Sequence, residues 1–74
     1  MNKDNARQLS AREQEVLFLI VQEYTTEEIA TFLYISQETV KSHRRNLMNK
    51  MQVRNMAGLV RKAVENKFLK LKDK

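Results

Sequence analysis

The sequence predicts an all-α domain of four short helices, the second and third joined by a tight turn, and three observations predict it. The 74 residues include one glycine and no proline, which leaves little material for hairpin turns or barrel corners. Ser10, Thr25 and Ser36 each stand at cap spacing before an apolar-periodic stretch. Only Tyr34 and Ile35 separate the second stretch from the cap of the third, so these two helices must cross steeply. With 42% hydrophobic residues the chain supports one small core and no second domain.

Taken in order, residues 1–8 are polar and unpatterned and read as a flexible arm or linker remnant. Ser10 and Glu13 form a capping-box pair that opens a first helix over Ala11–Gln22, with Leu9 placed to staple its entry. The run Val16–Val21 also suits a buried strand by pattern; the cap and the lack of a partner strand decide for helix. Thr25 and Glu28 repeat the capping-box spacing and open a second helix over Thr26–Leu33, whose apolar face is Ile29, Ala30 and Leu33. Ser36 caps a third helix over Gln37–Lys50 that turns Val40, Leu47 and Met51 inward, flanked by His43 and Arg44. Asn55 caps a fourth helix reaching Phe68, with Met56, Leu59, Val60, Ala63, Val64 and Phe68 as its apolar set. The domain thus covers 9–68, and 69–74 is a basic tail, expected to be a solvated terminus rather than a surface for DNA or an acidic partner.

Several function classes fall away at this level. Without cysteine there are no disulfides, thiolate zinc sites or thiol nucleophiles, which fits a reducing cytoplasm. The longest apolar run has six residues, far short of the ~20 that span a bilayer, and no signal-peptide pattern precedes it, so no membrane role is expected. His43 is the only histidine and its near neighbours are cationic, which suits neither a metal site nor a general base. Glu13 and Glu15 are two apart on one helix and point to different sides, so they make no acid/base pair. Ser10, Thr25 and Ser36 are accounted for as caps. No enzyme, cofactor or metal is expected.

The charge pattern points elsewhere. Net charge is +5, yet no Lys or Arg occurs between Glu13 and Glu38, while Glu13, Glu15, Glu23, Glu27, Glu28 and Glu38 are all acidic. From Thr39 to Arg54 the balance inverts: Lys41, Arg44, Arg45, Lys50 and Arg54 occur with no acid among them, the local field expected of a surface that meets a polyanion. Opposite the inward residues, the third helix presents Gln37, Glu38, Lys41, Ser42, Arg45 and Asn49. Lys41 and Arg45 lie one turn apart with Ser42 beside them, donors placed to reach base edges in a major groove. Glu38 either accepts from cytosine or serves the helix dipole. Arg44, Lys50 and Arg54 sit on the flanks, where phosphates would lie.

The segments Leu9-Ser10-Ala11-Arg12-Glu13-Gln14-Glu15-Val16-Leu17, Thr25-Thr26-Glu27-Glu28-Ile29-Ala30 and Ile35-Ser36-Gln37-Glu38-Thr39-Val40-Lys41-Ser42-His43 resemble the LuxR/GerE-type DNA-binding domain over about Leu9 to Ala63. That resemblance implies a four-helix helix-turn-helix domain of a bacterial transcription regulator, its third helix in the major groove of double-stranded DNA. It implies base reading by Lys41, Ser42 and Arg45, and structural or backbone-facing roles for Thr39, His43 and Lys50; Thr26, Ser36, Arg44 and Arg54 are counted with them as backbone or structural candidates. It implies a homodimer on DNA through the fourth helix, with Val60, Val64 and Phe68 as candidates; the alternative is that they cap the bundle. It also implies an upstream receiver or ligand-binding domain, although stand-alone members of this size exist. The sequence departs from the family in having Glu23 and Gln52 where glycine is usual after the first and third helices. Met56 replaces an arginine near the start of the fourth, removing one polar or phosphate contact. Two rivals remain: a protein-binding module touching RNA polymerase through the acidic first half, and a sigma-factor promoter-reading module, against which the His43 motif argues.

Overall fold

The computed structural model describes residues 9–65, and its element order is α1 (Ala11–Val21), α2 (Thr26–Leu33), α3 (Gln37–Met51) and α4 (Met56–Glu65). All four expected helices are present. α1 stops one residue early and α3 runs one residue further than the sequence implies. Both capping boxes form: Ser10 Oγ accepts from the Glu13 amide (3.0 Å) while the Glu13 carboxylate accepts from the Ser10 amide (3.0 Å). Thr25 and Glu28 do the same at 3.1 and 2.9 Å. Ser36 Oγ accepts the Thr39 amide at 3.0 Å, and Asn55 Oδ1 accepts the Gly58 amide at 2.8 Å. Each helix start therefore has a side-chain acceptor for an otherwise orphaned N–H group.

α1, α2 and α3 end in one and the same way. Glu23, Tyr34 and Gln52 adopt left-handed φ values of 72°, 61° and 57°. At each, the amide bonds back three residues and the next amide bonds back five: Tyr24 to the Leu19 carbonyl (3.0 Å), Ile35 to Ala30 (3.0 Å), Val53 to Met48 (3.1 Å). This double bond pattern is the Schellman ending, and the residue after the left-handed one usually packs inward. Ile35 and Val53 do so against the core. The missing glycines are thus absorbed as left-handed backbone at Glu23 and Gln52, and Tyr34 is a third such position.

The core is a single cluster to which all four helices contribute, with Val16, Leu17, Ile29, Val40, Leu47 and Leu59 fully buried. α3 packs against each of the other helices. Its buried set, Val40, Leu47 and Met51, is the one that the 3.6-residue period selects. On α4, Leu59 and Ala63 are buried, Met56 and Val60 are half-buried, and Val64 is exposed; Phe68 lies outside the described residues, as do the arm at 1–8 and the tail at 69–74.

Candidate nucleic-acid interface

The candidate interface is the outer face of α3. Because Val40 and Leu47 are fully buried, the residues half a turn away must face solvent: Lys41, Ser42, Arg45 and Asn49 are all exposed. Lys41 Nζ lies 3.6 Å from the Glu38 carboxylate, with both side chains more than half exposed. Such an exposed pair is weak and leaves the ammonium available to a stronger anion. Beside these residues, Lys41, Arg44 and Arg45 line a shallow cleft with Thr26 from the first turn of α2 and Met48 and Met56 from α3 and α4. Met56, in place of the arginine that the family resemblance leads one to expect, thus adds an apolar wall to an otherwise cationic cleft.

The flanking cations divide. The Arg44 guanidinium donates to Thr26 Oγ1, tying α3 to the start of α2. Lys50 Nζ lies 2.8 Å from Glu13 Oε1, tying the C-terminal end of α3 to the first turn of α1. Arg54, in the bend after α3, is an exposed flanking cation with no such tie among the described residues. Ser36 and Thr39 bond each other through their hydroxyls at 2.9 Å, completing the cap of α3, and His43 is half-buried beside the core stripe.

Glu13 is the buried acid that sequence reasoning did not assign beyond its cap. Its side chain is 8% exposed. Burial alone raises the carboxyl pKa, but the hydrogen bond from Lys50, the Ser10 amide, and the charges of Lys50 and His43 together outweigh it and hold Glu13 below its ordinary value. The sequence carried no signal of this contact, which joins positions 37 apart. At the C-terminal end of α3, Lys62 Nζ of α4 donates to the Met51 carbonyl (2.9 Å), one of the acceptors that a helix leaves open.

Two packed helices joined by the three-residue connection Tyr34–Ser36, the second with a buried apolar stripe and an exposed cationic face, define a helix-turn-helix DNA-binding unit. The chain belongs to the LuxR/GerE family: the family model for "Bacterial regulatory proteins, luxR family" matches residues 7–63. Among its relatives, the spore germination protein GerE of Bacillus subtilis is 46% identical over 52 residues, covering 70% of each chain. The response regulator protein TodT of Pseudomonas putida is 46% identical over 59 residues, 80% of this chain and 26% of TodT. A crystal structure of the response regulator ChrA, from a heme-sensing two-component system, superposes with a TM-score of 0.79 at 33% identity over 82% of this chain and 30% of that one. The chain therefore spans about a quarter of TodT's length.

Proposed function

We propose that this chain reads double-stranded DNA in a sequence-specific manner as a bacterial transcription regulator or its output domain, with α3 lying in the major groove. The observation that carries the reading is the exposed cationic face of α3, acid-free from Thr39 onward and tied to neighbouring helices by Arg44 near its middle and Lys50 near its end. Lys41 and Arg45 donate to guanine edges and Ser42 to either base type, each good contact contributing discrimination at its own position. Thr26, Ser36, Thr39 and His43 set the pose of α3 or meet the sugar–phosphate backbone. Arg54 meets a phosphate. Arg44 and Lys50 act first through Thr26 and Glu13, so their main work is positional.

Two copies bind paired half-sites through α4. The exposed Val64 and half-buried Val60 support this, being apolar positions that the core leaves uncovered; Phe68 extends the same stripe by sequence spacing. TodT and ChrA are response regulators of which this chain spans 26% and 30%. That share supports an output role behind a receiver domain, working in the cytoplasm where the chromosome lies. Contact with RNA polymerase belongs to the same reading, and no catalytic activity does.

The test is selection of bound duplexes from a random pool near physiological salt, followed by a salt titration on the winner. The reading expects a two-fold-symmetric site, half-sites one helical turn apart or a multiple of it, and affinity that falls steeply with salt. Failure to enrich any sequence, in the free domain and in a covalently linked dimer alike, would overturn it.

A further inference from the structure

The side of α1 turned away from α3 carries an apolar groove. Glu13, which reaches Lys50 of α3, points to the opposite side of α1 from Ala11, Gln14 and Phe18, and these three line the groove. Phe18 and Leu19 of α1, Tyr24 of the following turn, and Phe32 and Leu33 of α2 supply its apolar surface. Phe18, Tyr24 and Phe32 are 42%, 41% and 61% exposed, a contiguous patch of the kind that marks an interaction site rather than a scatter of single side chains. The Tyr24 and Phe32 rings lie 6.2 Å apart between centroids and brace each other, so the groove is formed before anything enters it.

Charge and backbone chemistry narrow the occupant. Glu15 lines the groove on the α1 side, and on the α2 side Phe32 stands beside Glu27 and Glu28. Glu23 precedes Tyr24, and all four acids are exposed. Arg12 offsets Glu15 at 3.2 Å, and from Glu13 to Val40 the sequence has no lysine or arginine, so the rim keeps a negative charge. Such a rim repels a nucleic acid and attracts a cationic partner. The walls are helices whose backbone groups are paired within them, so the groove offers no edge to which a strand adds. An occupant must satisfy its own backbone, as a helix does. Ala11, Phe18 and Gln22 sit at i, i+7 and i+11, so the groove follows the whole of α1, about 16 Å or three turns. A partner helix of about three turns matches that length, with an aliphatic stripe at helical spacing toward the aromatic floor and lysines or arginines on either side of it.

We infer that the α1–α2 groove docks a basic amphipathic helix of another protein, its aliphatic stripe seated on Phe18, Tyr24 and Phe32 and its cations meeting Glu23, Glu27 and Glu28. The inference does not depend on α3 binding DNA. The probe is a synthetic helical peptide of leucine, lysine and alanine, its leucines on one stripe and its lysines flanking them, titrated into the isotope-labelled full chain without DNA. The amide signals of Phe18, Gln22, Tyr24 and Phe32 are expected to shift and saturate while those of Ser42 and Arg45 stay in place. Phe32→Ser, at the most exposed of the three aromatics, should weaken the peptide about tenfold. The surface double variant Glu23→Lys/Glu27→Lys leaves the apolar floor intact and should prefer a glutamate analogue of the peptide, which the parent chain rejects. Equal binding of an isomer with its leucines scattered round the helix, or of the glutamate analogue by the parent, overturns the inference. So does the lack of saturable shifts in the groove. Groove signals that instead move when the chain alone is diluted overturn it in favour of a second copy.

Discussion

Replacing Lys50 by methionine separates holding the fold from holding DNA. The side chain of Glu13 is almost wholly buried, so removing its ammonium partner leaves a carboxylate that, among the described residues, keeps the Ser10 amide and the neighbouring His43. Breaking a fully buried ion pair on one side costs about 3–5 kcal/mol. Lys50 is itself 36% exposed, water screens that end of the pair, and the expected cost falls to about 1–2 kcal/mol. For a domain of this length each kcal/mol lowers the melting temperature by about 4–8 °C, so Lys50→Met should melt roughly 5–15 °C lower. Urea titration and thermal melts followed by circular dichroism read the loss. The double variant Glu13→Gln/Lys50→Met should recover part of it, since the stranded charge is gone. Well below its melting point, Lys50→Met should bind a selected DNA site nearly as the parent does. A variant that melts like the parent but loses affinity for every DNA sequence alike would refute the argument and return Lys50 to the phosphate backbone.

The remaining expectations follow from the same geometry. The Glu13 pKa is depressed in the folded state, so its contribution to stability is present above the ordinary carboxylate value near 4.5 and disappears as pH falls through the lower folded value; acid melts of Glu13→Gln should lack that part of the slope. Lys41→Ala and Arg45→Ala should each weaken binding to a selected site by about 1–3 kcal/mol and relax preference at separate base positions, read by competition with singly altered duplexes. Gln52→Gly should raise stability by about 0.5–1 kcal/mol in urea melts, because relief of the left-handed backbone exceeds the entropy that glycine adds to the unfolded chain. Val64→Asp should leave the monomer's melt unchanged and abolish two-copy binding on a full site in sedimentation, the exposed side chain having no core role to lose.

Much of the fold was legible because the determinants are local. Ser10 with Glu13 and Thr25 with Glu28 announce helix starts through contacts three residues apart, and Val40, Leu47 and Met51 announce a buried face through period alone. What escaped was set by partners distant in sequence. Nothing in the first turn of α1 indicates that Glu13 will meet Lys50, and nothing in α2 indicates that Thr26 will take the Arg44 guanidinium. Tyr34 escaped for a different reason. Its left-handed backbone follows from the short distance between Leu33 and the Ser36 cap, and a bulky residue there gives no sign of the strain, whereas Glu23 and Gln52 stood out where glycine was expected. The outer face of α3 was legible as a surface by elimination, since period fixes the inner face and leaves the other.

The two ties also explain how so small a domain can hold a reading helix to useful precision. A side chain that distinguishes one base from another by hydrogen bonds must be placed within a fraction of an ångström, and a helix packed only by aliphatic contacts can slide and roll. Arg44 fixes α3 against α2 near its middle, Lys50 fixes it against α1 near its end, and Lys62 holds the terminal carbonyl from α4. Arg44 lies one residue from Arg45 and three from Lys41, so a roll of α3 that misplaced either proposed reader would also break the bond to Thr26. Arg44, the cation nearest the proposed readers, thus serves the DNA by not reaching for it, and its loss should blur discrimination along the whole half-site rather than at one base.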